Sequence, residues 1–307
     1  MSPSVYILIP VHNRKAVTLT CLENLQRNGD LARYQVVVID DGSIDGTAEA
    51  IQANFPQVTI LQGDGNLWWT GAIVKGMVYA YERGADFFIW LNDDTLPISD
   101  ALLRLVNTSQ HSPHTIVTAQ CYADLTLTKP TYGGRQIQGR TLHFLSVDPD
   151  SFVACDVCSG NLVCLPRSVV DKVGYPPSRH APQTWGDVVY TWRAKQAGFK
   201  VCMLGSAIAI CPTNPLEEGW ASSPITMTQR WKQLRSPKSS IYPPAYWFYC
   251  RQVYGLWGVL PFWQVYFKLV LFTLLRWIIP QDWIMTVKEI KDKRLKSNPH
   301  RMFEKPR

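Results

Sequence analysis

The sequence predicts an α/β fold in which a mainly parallel, nucleotide-binding sheet is flanked by helices. Short apolar runs alternate with helical patterns through the first 91 residues, which is the βαβ rhythm of a parallel sheet. Polar, acidic or glycine-rich residues follow several of the apolar runs, where a parallel sheet presents its ligands. The alternating segments are, in chain order, 5–11, 15–27, 36–39, 46–54, 58–62, 71–83 and 87–91.

The helix predicted over 71–83 has the clearest pattern. Four apolar residues fall at i, i+3, i+4 and i+7 and predict one buried stripe, which leaves Lys75 off the stripe. These four residues are Val74, Met77, Val78 and Tyr81.

Regular patterns are weaker between residues 113 and 150. This stretch carries Gly133, Gly134 and Gly139 and predicts irregular strands and loops. The elements predicted after it are helices over 167–173 and 187–197 and apolar strands over 201–211.

Proline content predicts where the domain ends. Residues 212–244 hold six prolines and read as a loop-like stretch. We therefore expect a catalytic domain over 1–213, a linker over 214–244 and apolar, Trp-rich helices with a basic tail over 245–307.

The positive charge of the chain is concentrated at its C-terminus. The net charge is +7, and residues 287–307 carry eight Lys or Arg against three acidic residues, which gives +5 for the tail and +2 for the rest. A duplex binder carries a basic stripe through its folded domain, so nucleic acid is not an expected partner. The eight cysteines are scattered, and the close pair Cys155 and Cys158 lacks a second pair to complete a zinc site, which predicts buried thiols.

The C-terminal segment predicts an association with a membrane surface. Five of the twelve tryptophans lie there, and the longest uncharged run, 252–267, is shorter than the roughly 20 residues of a spanning helix. The N-terminus has no secretory leader, so we expect a cytosolic body held peripherally on the cytoplasmic face of the cell membrane. The alternative is that these aromatic residues pack on the catalytic domain or across a homodimer interface. The five residues are Trp247, Trp257, Trp263, Trp277 and Trp283.

Acidic residues follow the second apolar run. Asp40 and Asp41 come directly after it, and a carboxylate there can accept from a nucleobase N–H or a ribose hydroxyl. Asp-Gly-Ser is also an ordinary turn, and Asp45 an ordinary helix cap, so a structural role is an open alternative.

A glycine-rich stretch, 63–71, leads into the helix that carries Lys75. Gly65 and Asn66 with this lysine suit a pyrophosphate, because backbone N–H groups and a helix N-terminus favour anions. The alternative is a long loop pinned by Trp68 and Trp69.

The apolar run 87–91 ends in Asn92, Asp93, Asp94 and Thr95. Two adjacent carboxylates repel each other, and a hard divalent cation shared with diphosphate oxygens relieves the repulsion. The alternative is that Asp93 or Thr95 caps a following helix.

A fourth feature, Asp187 after Trp185 and Gly186, also reads on its own as a helix cap.

In this order and spacing, the motifs resemble the family 2 glycosyltransferases of A-type fold, and the bacterial rhamnosyltransferase-like branch among them. The similarity covers about 5–211, two thirds of the chain. The segments that match the family's motifs are Ile9-Pro10-Val11-His12-Asn13-Arg14, Val38 to Thr47, Leu91 to Thr95, Cys158-Ser159-Gly160-Asn161 with Gly174, and Trp185-Gly186-Asp187 with Arg193 and Gly198.

The resemblance implies transfer of a hexose or deoxyhexose from a nucleoside-diphosphate sugar to a hydroxyl of a saccharide or lipid-linked acceptor, in cell-surface polysaccharide or glycolipid synthesis. Asp187 would be the base of an inverting displacement. Asp94, assisted by Asp93, would hold Mn²⁺ or Mg²⁺. Gly160, Asn161 and Trp185 would face the acceptor. The donor would contact Pro10, Val11, Asn13, Asp40, Asp41, Gly65, Asn66, Lys75, Asn92 and Asp93.

Some positions depart from the family pattern. Asn92 replaces an acid, Gly186 stands where a Glu is common, and Val189 stands where many members carry a second Asp. Where many members place a histidine late in the domain, this chain reads Ile210-Cys211-Pro212-Thr213. Two other functions are therefore considered: a nucleotide-sugar-binding membrane protein with little or no turnover, and a nicotinamide-dependent oxidoreductase. The second leaves the acidic motif unexplained and lacks its glycine fingerprint.

Overall fold

The computed structural model of the 307-residue chain describes residues 3–213, 228, 231–232 and 234–278, with the backbone alone at 272 and 275–278. The strands are β1 (Val5–Val11), β2 (Gln35–Asp40), β3 (Thr59–Gln62), β4 (Phe87–Leu91), β5 (Leu96–Pro97), β6 (Thr115–Tyr122), β7 (Gly134–Gln138), β8 (Thr141–Phe144), β9 (Phe152–Ala154), β10 (Val157–Cys158), β11 (Leu162–Pro166) and β12 (Lys200–Ile210). The helices are α1 (Lys15–Arg27), α2 (Asp30–Arg33), α3 (Thr47–Asn54), α4 (Trp68–Glu82), α5 (Ala101–His111), α6 (Arg167–Val173), α7 (Gly186–Gln196), α8 (Pro243–Tyr254) and α9 (Val259–Ile278), with a 3₁₀ turn at Gly255–Gly258.

The main sheet has the order β3-β2-β1-β4-β11-β6-β12-β5, and β9 pairs with β12. Strands β1 to β4 are parallel, as the alternating pattern predicts. Strand β11 runs antiparallel to both β4 and β6, and β5 and β9 run antiparallel to β12. The sheet is therefore mixed, which refines the expectation of a mainly parallel one. Strands β10, β7 and β8 form a separate small sheet.

The central strands are buried on both faces because helices cover both. Alternate side chains of β1 enter different cores: Ile7 and Ile9 pack with residues of α1, α3 and α5, whereas Tyr6 and Leu8 pack with residues of α4, α6 and α7. This is the two-residue period of a strand. The apolar run at the N-terminus therefore becomes a strand covered on both sides.

The buried face of α4 differs from the predicted stripe. Met77 is fully buried, but Val74, Val78 and Tyr81 are only partly covered. A Cβ on Gly76 would lie 2.8 Å from a side-chain carbon of Ile39, so the helix makes its closest approach to the sheet at this glycine. The buried face therefore centres on Ile73, Gly76 and Met77 rather than on the predicted stripe, with Lys75 exposed as predicted.

Strand β6 lies in a region where the sequence predicts irregular structure. It is buried along its whole length, between β11 and β12. Its pattern is hidden because polar residues occupy buried positions. Thr118 Oγ1 donates to the Leu162 carbonyl (3.1 Å), and the Gln120 side chain bonds both the N–H and the carbonyl of Val147 (2.8 and 3.0 Å). Partners distant in the sequence thus satisfy polar groups that locally look exposed.

The chain divides into two compact units, Met1–Gly258 and Val259–Arg307. Helix α8 belongs to the first unit, although the sequence places its residues with the C-terminal helices. Trp192 Nε1 donates to the Gln252 carbonyl (3.1 Å), Arg193 Nε donates to Gln252 Oε1 (3.0 Å), and His180 stacks on Phe248. Much of the predicted linker lies outside the described residues.

All eight cysteines are buried free thiols, as the scattered spacing predicts. In the part of the chain that the structure describes, no helix has the length and apolar character needed to cross a membrane.

Candidate active site

The carboxyl ends of β1, β2 and β4 meet at one edge of the sheet. Val11 pairs with Asp40, and Leu8 pairs with Trp90, so the residues that follow these three strands are neighbours in space. Asn13, the Asp40–Asp41 pair and the Asp93–Asp94 pair therefore lie at the same edge. The predicted gathering of acidic motifs follows from this parallel pairing.

Asp40 has one oxygen with a partner and one without. Its Oδ1 accepts the Ser43 N–H (3.0 Å), while its Oδ2 is buried and has no hydrogen-bond partner among the described residues. A buried carboxylate oxygen without a donor is unfavourable, so this atom is suited to a ligand N–H or hydroxyl. The contact of Asp40 with a nucleobase or ribose stays a prediction.

Asp41 shapes the glycine-rich loop. Its two carboxylate oxygens accept the N–H groups of Gly65 (2.9 Å) and Trp68 (3.0 Å). A Cβ on Gly63 would lie 2.5 Å from Asp41 Oδ1, which leaves no room for a side chain there. This contact gives Asp41 a positioning role, and its direct contact with a donor stays a prediction. Gly65 and Asn66 are exposed at the surface of the loop.

Asn13 connects the first strand to the loop after the second. Its N–H donates to Ser43 Oγ (2.8 Å) and its Oδ1 accepts the Ile44 N–H (2.8 Å). His12 Nδ1 lies 2.6 Å from the Asp41 carbonyl, which can only accept, so Nδ1 carries the proton and Nε2 accepts from Asn13 Nδ2 (2.9 Å). Among the other predicted donor residues, the Val11 side chain lies in the core.

Lys75 stands farther from the start of its helix than the sequence predicts. Helix α4 begins at Trp68 rather than Gly71, which places Lys75 about two turns, or roughly 10 Å, along the axis. Its ammonium group donates to the Gln62 carbonyl at the end of β3. Contact with a phosphate would require the exposed side chain to leave this carbonyl.

Arg14 joins the two adjacent carboxylates. It lies 3.0 Å from Asp93 Oδ1 and 3.1 Å from Asp94 Oδ2, and Asp93 Oδ2 also accepts from Thr18 Oγ1 (3.1 Å). Burial raises the pKa of Asp93 to about 6, although the charge of Arg14 acts in the opposite direction. The following helix begins only at Ala101, so the capping alternative for this motif does not hold.

The donor set at this edge fits a hard cation only in part. Asp93 is 3% exposed with both oxygens paired, whereas the Asp94 side chain is 36% exposed. Among the described residues, no group of three His, Cys, Asp or Glu side chains could hold a metal. Mg²⁺ commonly takes one or two carboxylates together with water and substrate phosphates. Asp94 would therefore hold such an ion together with a diphosphate, and Asp93 would contribute only after losing Arg14.

Asp187 lies in the first turn of α7. Its Oδ2 accepts the Gly160 N–H (2.8 Å), and its Oδ1 accepts the N–H of Val188 (2.7 Å). Burial raises the pKa of the Asp187 carboxyl, and the positive charge of Arg135 acts in the opposite direction. The residue thus has both the first-turn position that favours an acidic side chain in a helix and the raised pKa of a candidate base.

The acceptor-side residues join Asp187 to the acidic edge. The Asn161 carbonyl accepts the Asn92 N–H (3.0 Å), and Asn161 Nδ2 bonds Cys211 Sγ (3.4 Å). Cys211 Sγ in turn lies 3.8 Å from Asp94 Oδ1. Gly160 and Asn161 therefore connect the predicted base to the predicted metal ligand.

Segment 237–254 supports the loop that carries Asp187. Trp185 adopts a left-handed conformation (φ 70°), stacks on Tyr249 with ring centroids 4.1 Å apart, and donates from Nε1 to the Ser240 carbonyl (2.8 Å). Thr184 Oγ1 lies 3.3 Å from the carbonyls of Pro237 and Ser239. One face of the Trp185 ring is thus covered by the protein itself.

Two site residues have no predicted role in the sequence. Arg14 is the last residue of the first-strand motif, and a cation next to an acidic pair is a signal that could have identified it. Trp69 lies in the glycine-rich segment, and its indole N–H donates to Asn92 Oδ1 (2.7 Å). This contact joins distant parts of the sequence and has no local signal.

Two solved glycosyltransferase structures are similar in fold to this chain. A crystal structure of GalNAc-T7 with UDP, GalNAc and Mn²⁺ matches with a TM-score of 0.58 and 14% identity, over 83% of this chain and 51% of that one. The mannosyltransferase PcManGT from Pyrobaculum calidifontis, in complex with GDP-Man and Mn²⁺, matches with a TM-score of 0.57 and 13% identity, over 99% and 83% of the two chains. The chain thus spans about half the length of the first protein, and at these identities the likeness shows the fold.

Sequence comparison adds the family. No curated protein sequence matches the chain. The family model described as glycosyl transferase family 2 matches residues 6–165, which is 160 of the 307 residues and includes the strand ends that carry the acidic motifs. The chain belongs to glycosyl transferase family 2.

Proposed function

We propose that this family 2 glycosyltransferase moves a sugar from a nucleoside diphosphate to an acceptor hydroxyl with inversion, and that Asp187 is the general base. One observation carries the proposal. Asp187, with its raised pKa, binds Gly160, whose neighbour Asn161 binds the acidic edge at Asn92. A base and a diphosphate site are thereby held in one continuous hydrogen-bonded unit.

In the proposed reaction the acceptor oxygen attacks the anomeric carbon as its proton passes to a carboxylate oxygen of Asp187. The bond to the diphosphate breaks on the opposite face, so one displacement inverts the configuration. The Gly160 N–H holds Asp187 in place, and Arg135 favours its ionised form. A divalent cation at Asp94 would supply charge stabilisation for the departing diphosphate.

The donor would be a nucleoside-diphosphate hexose or deoxyhexose, with uridine or deoxythymidine as the base. The unpaired Asp40 Oδ2 suits the N–H of a pyrimidine or a ribose hydroxyl. The two similar structures contain UDP and GDP-Man, which supports a nucleotide-linked donor and leaves the base to experiment. A saccharide or lipid-linked acceptor, and a place in cell-surface polysaccharide or glycolipid synthesis, belong to the same proposal.

We also propose that the second unit holds the enzyme on an anionic membrane surface, on the cytoplasmic face. Helix α9 exposes apolar side chains at intervals of three and four residues, which form one stripe. Tryptophan favours the headgroup region, and the basic tail adds attraction to anionic lipid. The residues of the stripe are Leu260, Trp263, Phe267, Leu271 and Leu274.

Asp187→Asn tests the base. The amide cannot accept the proton, so we expect turnover to fall by about 10² to 10⁴ while donor affinity is kept. Transfer rates, donor affinity by calorimetry and thermal unfolding are measured together. Asp171→Asn is the matched control, because this carboxylate is exposed on α6 and pairs with Arg167. An Asp187→Asn protein that is less stable but retains its rate would show a cap rather than a base.

Arg135→Met tests the charge state of Asp187 through the pH profile. Arg135 favours the carboxylate form of Asp187, so its removal raises the pKa of Asp187 further. As the pH falls, Asp187 then becomes protonated, and activity is lost, at a higher pH than in the wild type. We expect the acidic limb of kcat to move to higher pH in Arg135→Met and to stay in place in Arg135→Lys. An unchanged limb in the methionine variant contradicts the coupling.

Manganese binding tests the shared cation site. Because the protein offers chiefly Asp94, we expect weak Mn²⁺ binding by electron paramagnetic resonance, a marked increase when UDP is added, and no such increase in Asp94→Ala. Asp93→Ala should keep part of the increase. Full activity of the wild type in excess chelator would exclude the cation from the reaction.

Vesicle sedimentation tests the membrane surface. A chain that ends at Gly258 retains α8 and its contacts with α7, so we expect it to unfold at the same temperature as the full chain. We also expect it to lose binding to vesicles of phosphatidylcholine and phosphatidylserine. High salt should release the full chain only in part, because it weakens the electrostatic attraction and leaves the apolar one. Full-length protein that never sediments with these vesicles rules out the membrane surface.

A further inference from the structure

Trp69 and Asn92 form a defined hydrogen-bonded pair at the centre of the candidate site. Trp69 Nε1 lies 2.7 Å from Asn92 Oδ1, and the indole packs edge-on against Trp90. An indole N–H can only donate, so the facing atom must be the amide oxygen, which fixes the orientation of the Asn92 amide. Both residues are partly exposed rather than sealed in the core.

This orientation leaves the Nδ2 group of Asn92 with two N–H donors. Within the described residues no side chain or carbonyl accepts from Nδ2, although the backbone N–H of the same residue binds the Asn161 carbonyl. Asn92 is thus held at its oxygen and at its backbone, and it is free to donate from its nitrogen.

The indole of Trp69 also lies against the base. A Cβ on Gly160 would lie 2.4 Å from Cζ2 of Trp69 and 3.3 Å from the Cβ of Asp187, so the ring, the Gly160 backbone and Asp187 are in close contact. Only a glycine at position 160 fits between the Trp69 ring and the Asp187 side chain. Trp69 therefore stands between the donor-side Asn92 and the predicted base.

Backbone contacts hold the ring in this place. The Trp69 N–H donates to Gln183 Oε1 (3.0 Å), and the Thr70 N–H donates to the Pro182 carbonyl (2.8 Å). Trp68, just before, has a left-handed conformation (φ 56°) that is uncommon for a tryptophan. The start of α4 is thus tied to the loop that leads to Asp187.

We propose that Trp69 and Asn92 form the subsite for the transferred sugar, an inference that rests on the proposed function. Asn92 Nδ2 donates to a sugar hydroxyl, and the indole of Trp69 provides an apolar wall for the C–H face of the ring. A sugar placed there has its anomeric carbon between the diphosphate at Asp94 and the base at Asp187. The pair selects for the sugar, whereas Asp40 and Asp94 serve the nucleotide.

The subsite explains why position 92 carries an amide. An aspartate would accept equally well from Trp69 Nε1, but it has no N–H to donate. It would also add a third carboxylate beside Asp93 and Asp94. Asn92→Asp therefore separates the sugar contact from the contact with the tryptophan.

The experiment compares sugar nucleotides with the bare nucleotides on the full-length protein. Calorimetry with Mn²⁺ measures Kd for UDP, UDP-glucose, UDP-N-acetylglucosamine, dTDP and dTDP-glucose. For the sugar nucleotide that binds most tightly, we divide its Kd by the Kd of its own nucleoside diphosphate. This ratio isolates the contribution of the sugar to binding. We expect this ratio to rise about fivefold in both Asn92→Asp and Trp69→Phe, the effect of one lost hydrogen bond.

Trp192→Phe is the matched control. It removes another indole hydrogen bond, the one to the Gln252 carbonyl, away from Asn92, and the ratio should stay within about twofold of the wild type. An unchanged ratio in both site variants, with UDP or dTDP still bound, overturns the sugar subsite and leaves the proposed function intact. If neither UDP nor dTDP binds the wild type, the proposed function fails, and the subsite fails with it.

Discussion

The antiparallel pairing of β11 with β4 is the constraint on which the site depends. Leu162 pairs with Leu91, so the start of β11 lies beside the end of β4. In a wholly parallel sheet, the start of the neighbouring strand would lie at the opposite edge. The reversal brings Gly160 and Asn161 to the edge where three parallel strands end. The predicted donor-side and acceptor-side residues can then meet without a long crossing loop.

The five carboxylates that gather there have different partners and therefore different chemistry. Asp41 is satisfied by backbone N–H groups, Asp93 by Arg14 and Thr18, and Asp187 by the Gly160 and Val188 N–H groups. Asp40 keeps one unpaired oxygen. The Asp94 side chain is more exposed to solvent than that of Asp93. Environment, rather than residue type, distinguishes a loop anchor, a candidate base and a candidate metal ligand.

Local periodicity was sufficient to predict some elements and not others. Segments 5–11, 15–27 and 87–91 are the observed β1, α1 and β4, because the two strands are continuous apolar runs and the buried residues of the helix recur at helical spacing. Strand β6 could not be predicted in this way, since its buried Thr118 and Gln120 depend on partners such as Leu162 and Val147. Sequence patterns do not contain such distant partners.

The candidate site, too, could be predicted from the sequence only in part. The acidic strand ends were visible as motifs, and the resemblance to a family supplied roles for them that spacing alone could not. The ion pair of Arg14 with Asp94 and the contact of Trp69 with Asn92 join residues far apart in the chain. Only the folded sheet brings these side chains together. Only the structure therefore shows that Asp93 already has a cationic partner in Arg14.

The match to the family model ends at residue 165, inside β11, while Asp187, its loop and the supporting helix α8 all lie beyond it. Asp187 and its supports thus follow the matched strands in the chain. The hydrogen bond from the Gly160 N–H to Asp187 therefore ties the segment beyond the match to the matched strands.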